Sequence, residues 1–332
     1  MDQWVYISLL RCHKSLTPEY PKYVNVYRKV IETANDKTNQ FPFSVAHLHE
    51  TMNRGDLTSR QELLKFIFDI SKFNAICPFT RVLDLEIENA LFKSLSLPTI
   101  DIKKRVFDDD IGACFGMKGK IVSKNSIKPI SEDIKTQIGQ SLKDSTLMSS
   151  VLANGRMNLK GIQRDNELAQ TLEKLRKAQY IHSDKSMRKN ISDARFYTEV
   201  IQDRFLKIIQ RLNISKEHIE HIFGDRASIE KFAKSIPSAY IFHTLNEVRN
   251  MNLSRLIEPH DLWDITSLAI AVPYCDIVVT EREWANILNE KGIGKLYNTK
   301  IIYNIEEIFT APLTPNTPPS PEKPLGLFPT IN

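Results

Sequence analysis

Apolar positions in the first ~95 residues alternate between helical spacing and short continuous runs. Five of them recur every three or four residues: Tyr23, Val26, Tyr27, Val30 and Ile31. This spacing predicts a helix with one buried face. The apolar run at residues 41–45 predicts a short buried strand, and Ser44 is a candidate cap for the helix that follows. Helices alternating with short strands are typical of an α/β unit.

The pattern changes between about residues 101 and 226, where long charged stretches carry apolar residues at helical spacing. One stripe recurs at intervals of mostly three and four: Phe196, Val200, Ile201, Phe205, Ile208, Ile209 and Leu212. Such spacing predicts an amphipathic helix with one buried side. We therefore expect an all-helical insertion over residues 96–229, between α/β segments at 1–95 and 230–311.

The most strand-like segment of the chain is Asp276-Ile277-Val278-Val279-Thr280, in which β-branched residues follow one another. A continuous apolar strand of this kind suits a buried parallel sheet. Beyond it, residues 312–329 contain seven prolines in a polar context. This composition predicts a disordered, proline-rich tail over residues 312–332.

Length and cysteine usage narrow the class of protein. A chain of 332 residues can bury a full core without covalent staples. Its four cysteines lie far apart with no C-x-x-C pair, so neither a disulfide framework nor a zinc ribbon is indicated. There is no basic run followed by a long apolar segment at the N-terminus, and no apolar run approaches the ~20 residues that span a bilayer. We expect a soluble, cytoplasmic protein with no membrane partner.

Positive charge is concentrated in the middle of the chain. The formal net charge is +5, but residues 151–215 hold 13 Lys or Arg against 7 Asp or Glu, so the remainder is close to neutral. A basic patch can attract a polyanion, although a charged helix face is as often simply solvated.

Acidic residues gather in one C-terminal stretch, His260-Asp261-Leu262-Trp263-Asp264, followed by Asp276 and by Thr280-Glu281-Arg282-Glu283. Asp261 and Asp264 share one helical face near a helix N-terminus, where carboxylates also complement the helix dipole. Asp261 could equally be a cap, and Glu283 fits a capping box with Thr280. These acids can therefore be explained either as helix caps and helix-dipole partners or as residues of a functional site.

The order of these acids resembles the PIN-like nucleases. In that family a helix beginning with an acid precedes a buried strand that ends in Thr, and here Asp264 stands sixteen residues before Thr280. The N-terminal segment Met1-Asp2-Gln3-Trp4-Val5 is similar to the family's first acid, and the segment 43–50, ending in Glu50, to its second strand and second acid. The resemblance implies a doubly wound, mainly parallel sheet interrupted by the helical insertion.

In such a sheet the ligands lie at the carboxyl ends of the strands, so the resemblance implies that Asp2, Glu50 and Asp264 share one cleft. These three would be the catalytic residues and, with Asp261 and Glu281 as auxiliaries, the ligands of Mg²⁺ or Mn²⁺. The implied activity is metal-dependent hydrolysis of phosphodiester bonds, with RNA favoured over DNA. The biological context stays open between a toxin, a phage-defence effector and ordinary RNA turnover.

Two departures from the family pattern leave alternatives open. Only Met1 precedes Asp2, so the first strand is expected to be missing, shortened or lost to a misplaced start codon, and the family's fourth acid position is occupied by Arg282. Asp276, Glu281 or Glu283 could replace that acid. The competing hypothesis is a PIN-like scaffold without turnover that binds nucleic acid or a protein partner through its helical insertion.

Other polar residues receive plainer interpretations. Arg60, Arg249 and the basic helices are candidates for holding nucleic-acid phosphates. His47 and His49 could ligate zinc, but two positions apart on a helix they point in different directions. Glu86 and Glu88 fit a solvated helix face.

Overall fold

The computed structural model describes residues 1–15, 21–116, 131–155, 159–181 and 184–310, and the predicted proline-rich tail lies outside these ranges. The helices are α1 (Gln3–Ser15), α2 (Pro21–Asn35), α3 (Val45–Met52), α4 (Leu57–Ser71), α5 (Phe79–Ser94), α6 (Lys103–Val106), α7 (Glu132–Leu142), α8 (Ser145–Ala153), α9 (Leu159–Tyr180), α10 (Lys185–Arg195), α11 (Asp203–Leu212), α12 (Lys216–Phe223), α13 (Arg226–Lys234), α14 (Pro237–Met251), α15 (Pro259–Tyr274), α16 (Arg282–Glu290) and α17 (Ile293–Tyr297). The strands are β1 (Ala75–Ile76), β2 (Phe107–Asp108), β3 (Ile277–Val279) and β4 (Lys300–Ile302).

The predicted PIN-like fold, with its doubly wound and mainly parallel sheet, is wrong. The structure is about 73% helical and only 4% strand. Among the described residues there are two sheets of two strands each, β1 with β2 antiparallel and β3 with β4 parallel. The fold is therefore mainly helical, with two short strand pairs inserted between helices.

The segment at 41–45 shows why the expected sheet does not form. Phe43 makes a single parallel bridge to Ala75, with its N–H donating to the Asn74 carbonyl at 3.0 Å. Pro42 has no N–H to donate to a strand on the opposite side of this segment, and Ser44 is already the cap of α3. Pro78 likewise caps α5 and stops β1 after two residues. Buried extended segments are present, but they are too short to build a continuous sheet.

The predicted strand near residue 278 is confirmed as β3, which pairs in register with β4 so that Val278 opposes Ile301. The N-terminal segment approaches the same place, because the Asp2 N–H donates to the Val279 carbonyl at 3.0 Å. The N-terminal segment therefore meets the end of β3, and residues 1–5 form no strand, in agreement with the expectation that the first strand is missing or shortened.

The middle of the chain is mainly helical but not all-helical as predicted, since β2 falls within it and pairs with β1. The amphipathic stripe is confirmed: a π-helical turn at Phe196–Gln202 leads into α11, and Phe205 and Ile208 are buried against α5. Met148 of α8 belongs to the core of the N-terminal helices. The middle helices thus share cores with the rest of the chain, while the predicted domain boundaries remain a prediction.

A buried carboxyl group joins three helices. Glu86 of α5 is fully buried, and it accepts hydrogen bonds from the Ser238 N–H of α14 at 2.9 Å and from the Tyr274 hydroxyl of α15 at 2.5 Å. Burial raises the pKa of Glu86 to about 7 despite these donors. Glu86 therefore stabilises the packing of α5 against α14 and α15. The predicted position on a solvated helix face is wrong for this residue.

None of the helices in the described chain combines the length and the apolar character needed to cross a bilayer.

Candidate metal centre

A cavity of about 70 Å³ lies where β3 ends, and Asp2, Glu50 and Asp264 are among its lining residues. The three acids come from opposite parts of the sequence, on the N-terminal side of α1, on α3 and on α15. They are brought together because α3 packs against α15 and the N-terminal segment is hydrogen-bonded to β3. The predicted convergence of these residues is therefore present, in a mainly helical setting.

Asp2 is held in place by backbone contacts on both sides. Its side chain accepts hydrogen bonds from the N–H groups of Gln3 and Trp4, which are unsatisfied donors at the start of α1. Its own N–H donates to Val279. The side chain of Gln3 also donates to the Thr51 hydroxyl of α3 at 3.2 Å. Asp2 is thus fixed between β3 and α3.

His47 links the Glu50 helix to the N-terminal segment. The Ser44 N–H donates to His47 Nδ1 at 2.9 Å, so Nε2 carries the proton and donates to the Met1 carbonyl at 2.7 Å. Burial lowers the pKa of His47 to about 3 and keeps the ring neutral. Both ring nitrogens are engaged, so His47 positions the acids and has no free nitrogen for zinc.

Asp264 and Glu281 belong to the C-terminal part of the chain: Asp264 lines the cavity, whereas Glu281 is exposed and is not among the lining residues. Asp264 lies in the second turn of α15 and is hydrogen-bonded by Trp284, which is 1% exposed. Glu281 caps α16, which begins directly after β3. Since Trp284 is itself a residue of α16, its indole ties α15 to the helix that Glu281 begins.

Electrostatic repulsion acts on three buried or half-buried carboxyl groups, and Glu281 contributes to it. Burial, followed by the charges of Asp2, Asp264 and Glu281, raises the pKa of Glu50 to about 8. Burial and the charges of Asp2 and Glu281 also raise the pKa of Asp264 to about 7. The pKa of Asp2 is raised by burial and by Glu281. We call Asp2, Glu50, Asp264 and Glu281 the carboxylate cluster.

The three candidates for a fourth acid occupy different surroundings. Glu281 alone belongs to the carboxylate cluster, as its influence on Glu50 shows. Glu283 pairs with Arg255 at 2.8 Å. Asp276 is 71% exposed and lies 3.4 Å from Lys103. Among these candidates, Glu281 is the acid that could bind the same cation as Asp2, Glu50 and Asp264.

Asp261, predicted as an auxiliary ligand, is occupied by structural contacts. It is fully buried, its Oδ1 accepts from Arg255 at 2.7 Å, and its Oδ2 accepts from the Glu258 N–H at 2.9 Å. One potential metal-ligand atom from each of His260, Asp261 and Asp264 lies within 4.8 Å of the other two, a spacing that a cation could bridge. Because both Asp261 oxygens already have donors, its contacts are those of a helix cap and buried ion pair.

Asp261→Ala is expected to destabilise the protein by about 2–4 kcal/mol, because it removes a cap and leaves Arg255 with only Glu283. Urea unfolding measures the loss. The matched control, Glu283→Gln, removes the exposed partner of Arg255 and should cost less than ~1 kcal/mol. If Asp261→Ala kept its stability but lost a metal-dependent activity, Asp261 would have to be counted among the ligands.

The two arginines proposed for phosphate contacts are largely withdrawn from solvent. Arg249 is 6% exposed on α14 and lines a half-open cavity instead of projecting from the outer surface. Arg60 is half-buried on α4, and its Nε and Nη1 are buried without a hydrogen-bond partner. Neither is placed as a surface residue that an extended nucleic acid would meet first.

An aromatic pair beside the carboxylate cluster was not predicted from the sequence. His49 and Trp263 stack at 4.3 Å, and Asp165 of α9 contacts both, at 3.4 Å from His49 Nε2 and 3.2 Å from Trp263 Nε1. His49 precedes Glu50 and Trp263 precedes Asp264. The only signal in the sequence was an aromatic neighbour next to each predicted acid.

No protein-family model, curated protein or solved structure matches this chain significantly.

Proposed function

We propose that this protein is a metal-dependent nuclease that hydrolyses phosphodiester bonds, with RNA as the favoured substrate. The observation that supports the proposal is the carboxylate cluster, in which Glu50 and Asp264 have pKa values raised to about 8 and about 7. Mutually repelling carboxylates without paired cations are costly to ionise. Groups of this kind are concentrated at functional sites.

The donor set fits a hard divalent cation. Carboxylate oxygens are the ligands that Mg²⁺ and Mn²⁺ prefer, and a cation would offset the repulsion within the carboxylate cluster. The cavity of about 70 Å³ also has room for water, since one water needs roughly 10–15 Å³. When bound, the cation would supply a water activated for attack on phosphorus and would neutralise charge on the phosphodiester.

Some residues of the site would bind the cation, and others hold those ligands in position. Glu50 and Asp264 would be the principal ligands, with Asp2 and Glu281 completing the set. Trp284 fixes the orientation of Asp264, and His47 fixes the distance between α3 and the N-terminal segment. These supports matter because a ligand moved by about 1 Å loses much of its effect on the reaction.

A single-stranded RNA substrate is favoured by the surroundings of the carboxylate cluster. The partly exposed His49–Trp263 stack offers an aromatic edge to an unpaired base. Helix α9 packs on α15 and carries the exposed cations Arg164, Lys174 and Lys177. These charges replace Arg60 and Arg249 as the proposed phosphate contacts and predict binding that weakens with salt.

We place this activity in the cytoplasm, in keeping with reduced thiols, since none of the four cysteines forms a disulfide. A protein partner at the middle helices and a role in growth arrest or phage defence stay predictions.

The test is cleavage of labelled single-stranded RNA and DNA with Mn²⁺ or Mg²⁺, comparing wild type with Glu50→Gln. Cleavage by wild type should require the cation and fall on the order of 100-fold in the variant, because an anionic ligand is lost. The matched control is Glu32→Gln, an exposed glutamate of α2, which should cleave as wild type does. Cleavage by Glu50→Gln equal to that of wild type would exclude Glu50 from the site, and no cation-dependent cleavage by wild type would favour the non-catalytic binding role.

A further inference from the structure

A second cavity, separate from the carboxylate cluster, lies between α9, α10 and α14. Its volume is about 150 Å³, and Arg176, Phe196, Asn246 and Arg249 are among its lining residues. A single buried water needs roughly 10–15 Å³, so this cavity has room for a group much larger than one water molecule. Its wall combines guanidinium groups, side-chain amides and aromatic rings, the mixture that small-molecule sites use for orientation and contact area.

Arg249 is a buried cation without an ion-pair partner among the described residues. Its Nη2 donates to the Asn246 amide oxygen at 2.6 Å, while Nε and Nη1 are buried without any hydrogen-bond partner. The two carboxylates that act on it electrostatically are engaged elsewhere, Glu173 by Arg176 and Asp261 by Arg255. Burial lowers the pKa of Arg249 to about 10, which reflects this lack of compensation.

Arg176 forms the neighbouring wall and is already neutralised. It is 1% exposed and pairs with Glu173 at 2.6 Å. Its guanidinium also donates to the Asn252 carbonyl at 2.8 Å and to the Arg255 carbonyl at 2.7 Å, which closes the end of α14. Arg176 therefore adds little uncompensated charge to the cavity, which Arg195, hydrogen-bonded to the Gln179 amide oxygen at 3.1 Å, also lines.

An isolated buried charge is costly, and a bound anion would offset that cost. A guanidinium with two free N–H donors matches the oxygens of a phosphate group in a bidentate arrangement. Phe196, stacked on His243 at 4.5 Å, offers an apolar surface in the same cavity. We propose that this cavity binds a small phosphate-bearing molecule, with the phosphate on Arg249 and the organic part against Phe196.

The proposal is independent of the nuclease proposal and is tested on the full chain in EDTA, where no divalent cation is available. Calorimetric titration and thermal unfolding would be measured with inorganic phosphate, ribose 5-phosphate and ribose, at ionic strength matched with chloride. We expect saturable binding and a raised unfolding temperature for both phosphates, tighter for ribose 5-phosphate, and none for ribose. Binding of both phosphates with equal affinity would assign the cavity to free phosphate and overturn the organic part of the proposal.

Arg249→Gln should weaken phosphate binding at least ~10-fold, since it removes the charged fork. Arg28→Gln, at an exposed arginine of α2, is the matched control and should bind as wild type does. If Arg249→Gln does not fold, the wild-type titration still decides. The proposal is overturned if wild type binds neither phosphate saturably or if Arg249→Gln binds equally well.

Discussion

Asp264→Asn is expected to lower cation-dependent cleavage by on the order of 100-fold or more, while the metal-free protein keeps or gains stability. Loss of a group that merely supports a metal ligand costs 10–100-fold, and loss of the anionic ligand itself should cost at least as much. The pKa of Asp264, raised to about 7 by burial and by Asp2 and Glu281, shows that its charge is disfavoured in the metal-free protein. Neutral Asn removes that repulsion and keeps an oxygen for Trp284.

Asp276→Asn is the matched control, because it makes the same change at a 71% exposed acid whose carboxylate lies 3.4 Å from Lys103. It should leave cleavage and stability unchanged. Cleavage of RNA and urea unfolding would be measured for both variants. Lower stability of Asp264→Asn by ~0.5–2 kcal/mol with unchanged cleavage would assign Asp264 a capping role instead.

The metal-free protein is expected to lose stability as pH rises from about 5 to about 8.5. The folded-state pKa of Glu50 is about 8, above the ~4.3 of an unfolded glutamate. Below pH ~4.3 the group is neutral in both states and costs nothing. Between that pH and about 8 the folded state binds the extra proton, so the free energy of unfolding falls with pH, by on the order of 3 kcal/mol for coupled carboxylates.

Glu50→Gln should flatten this profile, because Gln carries no charge at any pH. Asp264 and Glu86, whose pKa values are also raised, would retain part of the slope in the variant. Urea unfolding in EDTA at several pH values measures both profiles. Parallel profiles for wild type and Glu50→Gln would mean that Glu50 is not held in a repulsive, buried setting.

Local spacing in the sequence predicted elements whose formation depends on one buried face. The stripe through Phe205 and Ile208 identified α11, and the β-branched run identified β3. Local spacing could not predict how many strands pair into a sheet, because strand pairing depends on residues far apart in the sequence. Phe43 pairs with Ala75 over one bridge only, because α3 begins two residues later. A continuous apolar run looks the same whether it enters a sheet or only a buried extended segment.

The order of acidic residues along the sequence predicted which acids line the candidate site. It did not predict the contacts that depend on which side chains are buried. Asp2, Glu50 and Asp264 do line one cavity. The pairing of Asp261 with Arg255, the burial of Arg249 and the His49–Trp263 stack depend on how α14, α15 and α9 pack. No local pattern encodes that packing, so charged residues that look solvent-exposed in sequence can be structural anchors.

Direct measurement of Mn²⁺ binding tests the central claim, that the carboxylate cluster holds a divalent cation. Calorimetric titration at pH 8, where Glu50 and Asp264 are more readily ionised, would compare wild type, Asp264→Asn and Asp276→Asn. We expect saturable binding by wild type and Asp276→Asn, and affinity at least ~10-fold weaker in Asp264→Asn. Equal Mn²⁺ affinity in all three proteins, or no binding by wild type, would contradict it.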